Sequence, residues 1–377
     1  MIQYLRKVSP KKLKGVAILR LDFNTEDDWR MKAALPIINF LLKHASAVVI
    51  LSHKGRPLGF QREFSLKQSA HELESLLKKD IVFFNSFNFV EMKMKIQAAK
   101  HGSIFMLENL RFMPGEASNN TGFAKNLASL GNYYVNDAFA VSHRVNASVS
   151  AITKFLPSYA GLGLESEIVN LSKVMERAKR PLVIILGGVK INDKLGVIKF
   201  FSASGESAQG GKHRADSFLI GGALANTLLY LKGAGVGKSL YEKRVSKDIK
   251  RLAQYKNIVL PRDYRTDNSA ILDIGPETEK IFEKKIHEAR TIVWNGPLGM
   301  TERPAFTHGT MAVAKAVADN AKAFSIVGGG ETVMSIKKYN IDDKISFIST
   351  GGGAMLDFLA GLCLPGLSAL GYKKKTK

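Results

Sequence analysis

A single cysteine, Cys363, stands among 377 residues, so no internal disulfide can form and the fold must rest on apolar burial. No apolar stretch reaches the ~18 residues that a membrane-crossing helix needs. The N-terminal MIQYLRKVSPKKLKG is basic but has no apolar run ahead of a small-residue cleavage site, so no secretory signal is expected. These absences point to a soluble protein of a reducing cytoplasm. Acidic residues are also scarce: 33 Asp and Glu face 55 Lys and Arg, a formal net charge of +22. Such a field attracts anions. A nucleic-acid binder would gather that charge in a stripe with interleaved aromatics, whereas here only the terminal GYKKKTK forms a run. The excess reads as solvated surface, and nucleic acid is not an expected partner.

Two further signatures are missing. No repeat of about 20–50 residues stands out, although both halves reuse a strand–helix unit. The stretch KGAGVGKS at 232–239 resembles a phosphate-binding P-loop, but Lys232 occupies the first glycine position and the preceding ANTLLYL reads as a helix. The motif's strand-to-helix context is absent, so an ordinary helix-ending glycine loop is expected there.

What is present is ordinary in bulk, with 45% hydrophobic and 23% charged residues, and the length suits two domains. Strand-like runs alternate with helical patterns such as DDWRMKAALPIINFLLKH, SLKQSAHELESLLKK and GFAKNLASLG, which indicates parallel sheets covered by helices. Residues 161–179 place Leu164, Ile168, Leu171 and Met175 on one helical face, with Glu165, Glu167 and Lys173 elsewhere. This reads as a long helix between the halves, the alternative being another crossover within one sheet. FSASGESAQGGKHRAD, from Phe201, reads as an exposed loop.

The strand ends differ between the halves. The first-half runs VAILRLDFN, SAVVILSHKGRP, SIFMLENLRF and NYYVNDAFAVSHR carry Asp22, Asn24, His53, Arg56, Arg111, His143 and Arg144. The second-half runs LVIILGGVK, SFLIGGALA, TIVWNGPLG, FSIVGGGET and SFISTGGGAM end on glycines, where backbone N–H groups can approach a phosphate. One half is built for a small polyanion and the other for a nucleotide.

RLDFN, DDWRMKAALP, SHKGRP, LENLRF, NDAFAVSHR, ILGGVKINDK, VWNGP, VGGGET and ISTGGGA follow one another over nearly the whole chain. In order and approximate spacing they resemble the phosphoglycerate kinase family. The resemblance implies an α/β protein of two Rossmann-like three-layer domains with parallel sheets, joined by a helix and hinge. Residues 1–158 would bind 3-phosphoglycerate, 159–348 the nucleotide, and 349–377 would return to the first domain. The implied reaction is phosphoryl exchange between 1,3-bisphosphoglycerate and ADP, giving 3-phosphoglycerate and ATP with Mg2+, by a cytoplasmic monomer.

By the same resemblance, His53, Arg56, Arg111 and Arg144 clamp the distal phosphate, Asp22 and Asn24 address the hydroxyl and carboxylate end, and Arg30 lies at the reacting carboxyl. Lys190 is the expected electrostatic catalyst and Lys194 serves the nucleotide phosphates, since phosphoryl transfer spreads charge over equatorial oxygens. Gly328, Gly329, Gly330, Gly351, Gly352 and Gly353 precede expected helices, whose free N–H groups suit phosphate; Gly330 and Gly353 are placed among the catalytic groups. Gly187, Gly188, Gly221, Gly222 and Asn295 resemble the walls of an adenosine site, Glu302 the ribose acid, and Glu331 with Thr332 the end of the phosphate loop.

The chain departs from the pattern in several places. Glu331 replaces the usual aspartate at the magnesium position, where a longer carboxylate can still serve because magnesium keeps several waters. Ala223 stands for a third glycine near the base, which bears on nucleotide preference. The Gly/Ser-rich segment at 201–216 is about ten residues longer than expected, and AVSHR replaces GTAHR with its arginine intact. Two competing readings stand: a related kinase with another nucleotide, raised by Ala223 and Glu331, and a catalytically silent relative whose basic surface takes nucleic acid, raised by the net charge.

Overall fold

The computed structural model describes residues 1–25, 28–202 and 214–373; the longer segment noted at 201–216 therefore falls mostly outside the described residues, as does most of the terminal basic run. The chain forms two compact units, Met1–Ile168 with a piece beginning at Cys363, and Val169–Leu362.

The first unit is built on six strands, β1 (Ala17–Arg20), β2 (Ala47–Leu51), β3 (Ile81–Phe84), β4 (Ser103–Leu107), β5 (Tyr133–Asn136) and β6 (Ser158–Ala160). They lie parallel in the order β3-β4-β2-β1-β5-β6. Helices α1 (Trp29–His44), α2 (Lys67–Leu77), α3 (Phe89–Gln97), α4 (Pro114–Ala117) and α5 (Thr121–Ala128) connect them. Parallel strands need crossovers, and strands covered on both faces become continuous apolar runs instead of alternating ones. β2 is AVVIL and buried throughout. The core gathers Leu19, Ile38, Val48, Ile50, Met106 and Val135 between sheet and helices.

The second unit repeats the plan with β7 (Leu182–Leu186), β8 (Ser217–Ile220), β9 (Ile258–Val259), β12 (Thr291–Asn295), β13 (Phe324–Gly328) and β14 (Phe347–Ile348), parallel in the order β14-β13-β12-β7-β8-β9. A separate antiparallel pair, β10 (Tyr264–Asp267) and β11 (Ala270–Ile274), turns at Asn268 and Ser269, both at positive φ. The helices are α7 (Asn192–Ser202), α8 (Gly222–Leu231), α9 (Lys247–Leu252), α10 (Pro276–Glu288), α11 (His308–Asp319), α12 (Gly330–Lys338) and α13 (Gly353–Leu359). α13 packs on α7, where a Cβ on Gly196 would sit 2.8 Å from the Ala360 methyl. α14 (Pro365–Ala369) belongs to the first unit.

The expected long helix is α6 (Leu162–Arg177), placed in the count between α5 and α7. Its predecessor β6 belongs to one sheet and its successor β7 to the other, so it joins two sheets. Leu164, Ile168, Leu171 and Met175 are buried as the spacing predicts. Glu167, read as lying away from that face, is buried too, at 2% exposure. Asp137, just past β5, accepts a hydrogen bond from Leu164 N at 2.8 Å and so caps the helix start with its carboxylate.

Candidate active site

In a parallel sheet every strand ends at the same edge, and where the winding direction reverses the crossovers diverge and leave a crevice beyond the strand ends. In the first sheet the chain winds outward from β1 through β2 on one side and β5 on the other. In the second it reverses between β7 and β12. The residues singled out from sequence follow these strands.

In the first unit Asp22 and Asn24 follow β1, and His53 and Arg56 follow β2. Arg30, in the first turn of α1, donates to Asp22 Oδ2 at 2.7 Å and to Asn24 O at 3.3 Å. Asn24 uses its own side-chain oxygen to hold Gly55 N at 2.7 Å, which shapes the β2 loop. Arg111 follows β4 and donates to Gly55 O. Asn109 Nδ2 bonds Lys54 O at 2.7 Å and Phe64 O at 2.9 Å, pinning the same loop. Arg144 lies after β5 and donates through Nε to His143 Nε2 at 3.3 Å.

The cations crowd one another. Arg111 has its pKa pushed down to about 10, first by burial and then by Arg144 and Arg20. Arg144 is pushed down by burial and by Arg56. His53 is only 1% exposed, and burial followed by the fields of Arg20, Arg111, Arg144 and Arg30 holds its pKa well below the usual histidine range. The positive charge of this cluster is therefore carried by its guanidinium groups, with the buried histidine held neutral among them.

In the second unit the loops after β7 and β12 interlock. Gly188 N donates to Pro297 O at 2.6 Å, and Gly187 N to Asn295 O at 3.0 Å. A Cβ on Gly187 would meet Pro297 O at 2.0 Å, and one on Gly222, at φ +60, would meet Gly188 O at 2.4 Å. Gly221 is closed off by Leu298 and Gly328 by Met355. At Gly187 and Gly222 the missing side chain lets backbones pack, and at Gly221 and Gly328 it leaves room for a neighbouring side chain. Gly330, Gly352 and Gly353 instead have nothing within 4 Å of a built Cβ and face open space. Gly329, at φ +94, starts α12.

Beside them Asn295 is 6% exposed, and its Nδ2 has no hydrogen-bond partner among the described residues. The same nitrogen would lie 3.4 Å from a Cβ on Gly329. Thr332, by contrast, has its hydroxyl on Gly296 N at 3.0 Å and pins the loop after β12. Lys190 is exposed, while Lys194 is buried and donates to Lys190 O at 2.6 Å. Burial, with Lys190 adding to it, pushes the Lys194 pKa down to about 8, opposed by Asp193 and Glu331.

A cavity of about 360 Å3 opens in this unit, lined by Gly188, Gly222, Ala223, Glu302 and Glu331 among others. Lys238 and Ser239 also line it, although the rejected P-loop resemblance follows a helix as expected. Among the described residues no three or more His, Cys, Asp or Glu cluster as a metal site. No helix described is long and apolar enough to cross a membrane. Sequence reasoning also passed over Arg20, Glu116 and Ser148. Arg20 is the last residue of an otherwise apolar strand and 1% exposed, and a cation ending such a strand was the available signal.

Comparison with known proteins gives concordant matches in sequence and in fold. The family model described as "Phosphoglycerate kinase" matches residues 14–362. A phosphoglycerate kinase of Herpetosiphon aurantiacus is 40% identical over 390 residues, covering 95% of this chain and 96% of the relative. One from Moorella thermoacetica is 40% identical over 388 residues, covering 94% and 96%. Among solved structures, phosphoglycerate kinase from Pyrococcus horikoshii OT3 superposes with a TM-score of 0.82 at 32% identity, over 98% of each chain. That from Coxiella burnetii gives 0.79 at 33%, over 98% of this chain and 99% of the other.

Proposed function

The chain belongs to the phosphoglycerate kinase family, and on that premise we propose how its residues divide the reversible transfer of a phosphoryl group from 1,3-bisphosphoglycerate to ADP. The observation that carries the division is the pairing of a guanidinium cluster around neutral His53 with a glycine-walled cavity beside the unpartnered Asn295 amide.

In this reading the first unit is the phosphoglycerate domain. Arg56, Arg111, Arg144 and His53 hold the distal phosphate. Asp22 and Asn24 meet the hydroxyl and carboxylate end, and Arg30, pre-oriented by Asp22, faces the reacting carboxyl. The second unit is the nucleotide domain. The cavity takes the nucleoside, Glu302 the ribose, and Asn295 with the N–H groups at Gly329 and Gly330 the phosphates. Gly353 presents its N–H to the transferring group.

A terminal oxygen of ADP bonds to phosphorus as the bond from phosphorus to the acyl oxygen breaks, leaving the carboxylate of 3-phosphoglycerate. No covalent enzyme intermediate is needed. Lys190 and Lys194 neutralise charge on the equatorial oxygens, where preorganised donors act most strongly. Glu331 fits a nucleotide-borne Mg2+: its carboxylate lines the cavity, is electrostatically coupled to Lys194, and one carboxylate suffices for an ion that keeps its waters. When bound, the ion supplies further neutralisation of phosphate charge.

The two substrates bind different units, and the reacting atoms must approach to roughly 3–3.5 Å. Hinge-bending is therefore part of the proposal, as are a cytoplasmic location and a monomeric state. The decisive experiment is a coupled assay with 3-phosphoglycerate, MgATP and the purified chain: turnover dependent on both supports the assignment, and its absence refutes it. Ala223, 3% exposed and lining the cavity, supports a narrower second reading in which the preferred nucleotide is not adenosine-based. Competition between nucleotides in the same assay separates the two.

A further inference from the structure

Beneath the cation cluster lies a line of buried polar groups. Arg20 is 1% exposed, His53 1%, Glu116 1% and Ser148 0%. Glu116, on α4, accepts from Ser148 Oγ at 2.6 Å and from Ser148 N at 3.0 Å. Ser148 Oγ in turn accepts from Arg20 Nε at 2.9 Å. Arg20 spends Nη1 on Leu21 O and directs Nη2 at His53 Nδ1, 3.1 Å away. The loop that carries Ser148 is stapled to α4 by Ala147 N and Asn146 Nδ2, both donating to Glu116 O.

A guanidinium has five donors and no acceptor, so an imidazole nitrogen facing it must offer its lone pair. His53 Nδ1 is therefore the acceptor, and in the neutral ring the single proton resides on Nε2. Asp22 Oδ1 lies farther from Nδ1, at 3.7 Å, and its carboxylate is already engaged by Arg30 and Asn24 N. We propose that Glu116 and Ser148 are positioning residues that act through Arg20 to hold His53 in its Nε2–H form, so that the site presents a fixed neutral donor to its anion. Glu116 supplies the counter-charge and Ser148 the hydroxyl that fixes the guanidinium plane. A buried guanidinium without such a partner would carry a large desolvation cost and turn toward other acceptors. A neutral donor also spares His53 the repulsion that a further cation would meet among four arginines.

The inference rests on the phosphoglycerate assignment only for the identity of the anion. Its test uses the full chain with 15N-labelled histidine and long-range proton–nitrogen correlation spectra. The wild-type protein is expected to show His53 with Nε2 protonated and Nδ1 bare. Ser148→Ala should give mixed tautomers and raise KM for 3-phosphoglycerate on the order of tenfold, the scale of one hydrogen bond to a charged group. Its kcat should stay within about twofold and its KM for ATP should not move, because the chemical step keeps its groups. Ser148→Thr, which keeps the hydroxyl, should restore tautomer and KM.

A wild-type His53 protonated on Nδ1 overturns the proposal. So does Ser148→Ala with the wild-type tautomer and KM. Should Ser148→Ala fail to fold, the wild-type spectrum still decides. Addition of 3-phosphoglycerate separates the two assignments: an Nε2–H His53 whose signals do not respond upholds the relay while removing the phosphoglycerate site from this unit.

Discussion

The two sheets end in opposite chemistries although each is six parallel strands covered by helices. In the first unit charge is supplied by side chains, each held by a neighbour: Arg30 on Asp22, Arg111 on Gly55 O, Arg20 between Ser148 and His53. In the second, side chains are largely removed, and positive potential comes from helix starts, backbone N–H groups and two lysines. In the proposed reading the difference follows from the ligands. A small trianion has little surface, so it must be met by long, forked donors reaching inward. A nucleotide is long and must lie against the backbone, which only glycine permits.

The contrast is sharpest at the reacting groups, where the largest effects are expected. Arg30→Ala and Lys190→Ala should each remain folded and lose at least ~100-fold in kcat, the scale for one preorganised donor. Circular dichroism with steady-state kinetics checks this, and near-normal turnover in either variant would remove that residue from the reacting centre.

Next come the glycines, which divide into packing and approach positions. Gly222→Ala puts a methyl on Gly188 O at positive φ, with strain of about 1–2 kcal/mol from backbone conformation alone, so it should lower both thermal stability and nucleotide affinity. Gly330→Ala meets open space and should leave the melting temperature unchanged while raising KM for ATP on the order of tenfold. Equal melting shifts in the two variants would erase the distinction.

A smaller effect is expected at the metal. Glu331→Gln should raise the Mg2+ concentration needed for half-maximal rate severalfold, and Glu331→Asp should be tolerated, since magnesium requires a carboxylate more than a particular reach. A magnesium titration identical to wild type in Glu331→Gln would place the carboxylate outside the metal's reach.

The smallest effect is a shift in pH dependence. Lys194 has a pKa pushed down from its ordinary value to about 8, so it is charged below that pH and loses its proton as pH rises through it. Nucleotide-dependent kcat/KM should therefore decline above pH 8, and Lys194→Arg should move that decline upward, since guanidinium stays protonated. His53 runs the other way. Its folded pKa lies well below its unfolded value, so its contribution to stability is full above about 6.5 and is lost as pH falls toward the folded value. His53→Gln should flatten the loss of stability on mild acidification, measured by thermal melts between those limits.

Much of this was legible beforehand for identifiable reasons. β2, β7 and β12 are β-branched runs buried on both faces, and such runs announce themselves. α6 shows through its periodic Leu164, Ile168 and Leu171. The strand β3 was not read, because IVFF is a short edge strand with Val82 45% exposed. The antiparallel β10 and β11 carry mixed, half-exposed residues and gave no clear alternation. Within the site, the residues proposed to meet a ligand lie in contiguous motifs, whereas Glu116 and Ser148, proposed to support them, lie outside those motifs. Glycines could be found but not sorted, since Gly187 and Gly330 differ only in what lies opposite the missing Cβ.

Composition and pattern by themselves determined that the chain is α/β with parallel sheets, and they marked candidate anion-binding groups at the strand ends. These are properties of local propensity and burial period, which each segment carries alone. Tertiary structure decided which of those groups face open space and which face one another. Arg20 contacts Ser148 across 128 positions and His53 across 33, and Asn295 Nδ2, though buried, has no hydrogen-bond partner among the described residues. A side chain's role depends on what desolvates it and what stands within hydrogen-bond reach, and both are set by residues that are distant in the chain.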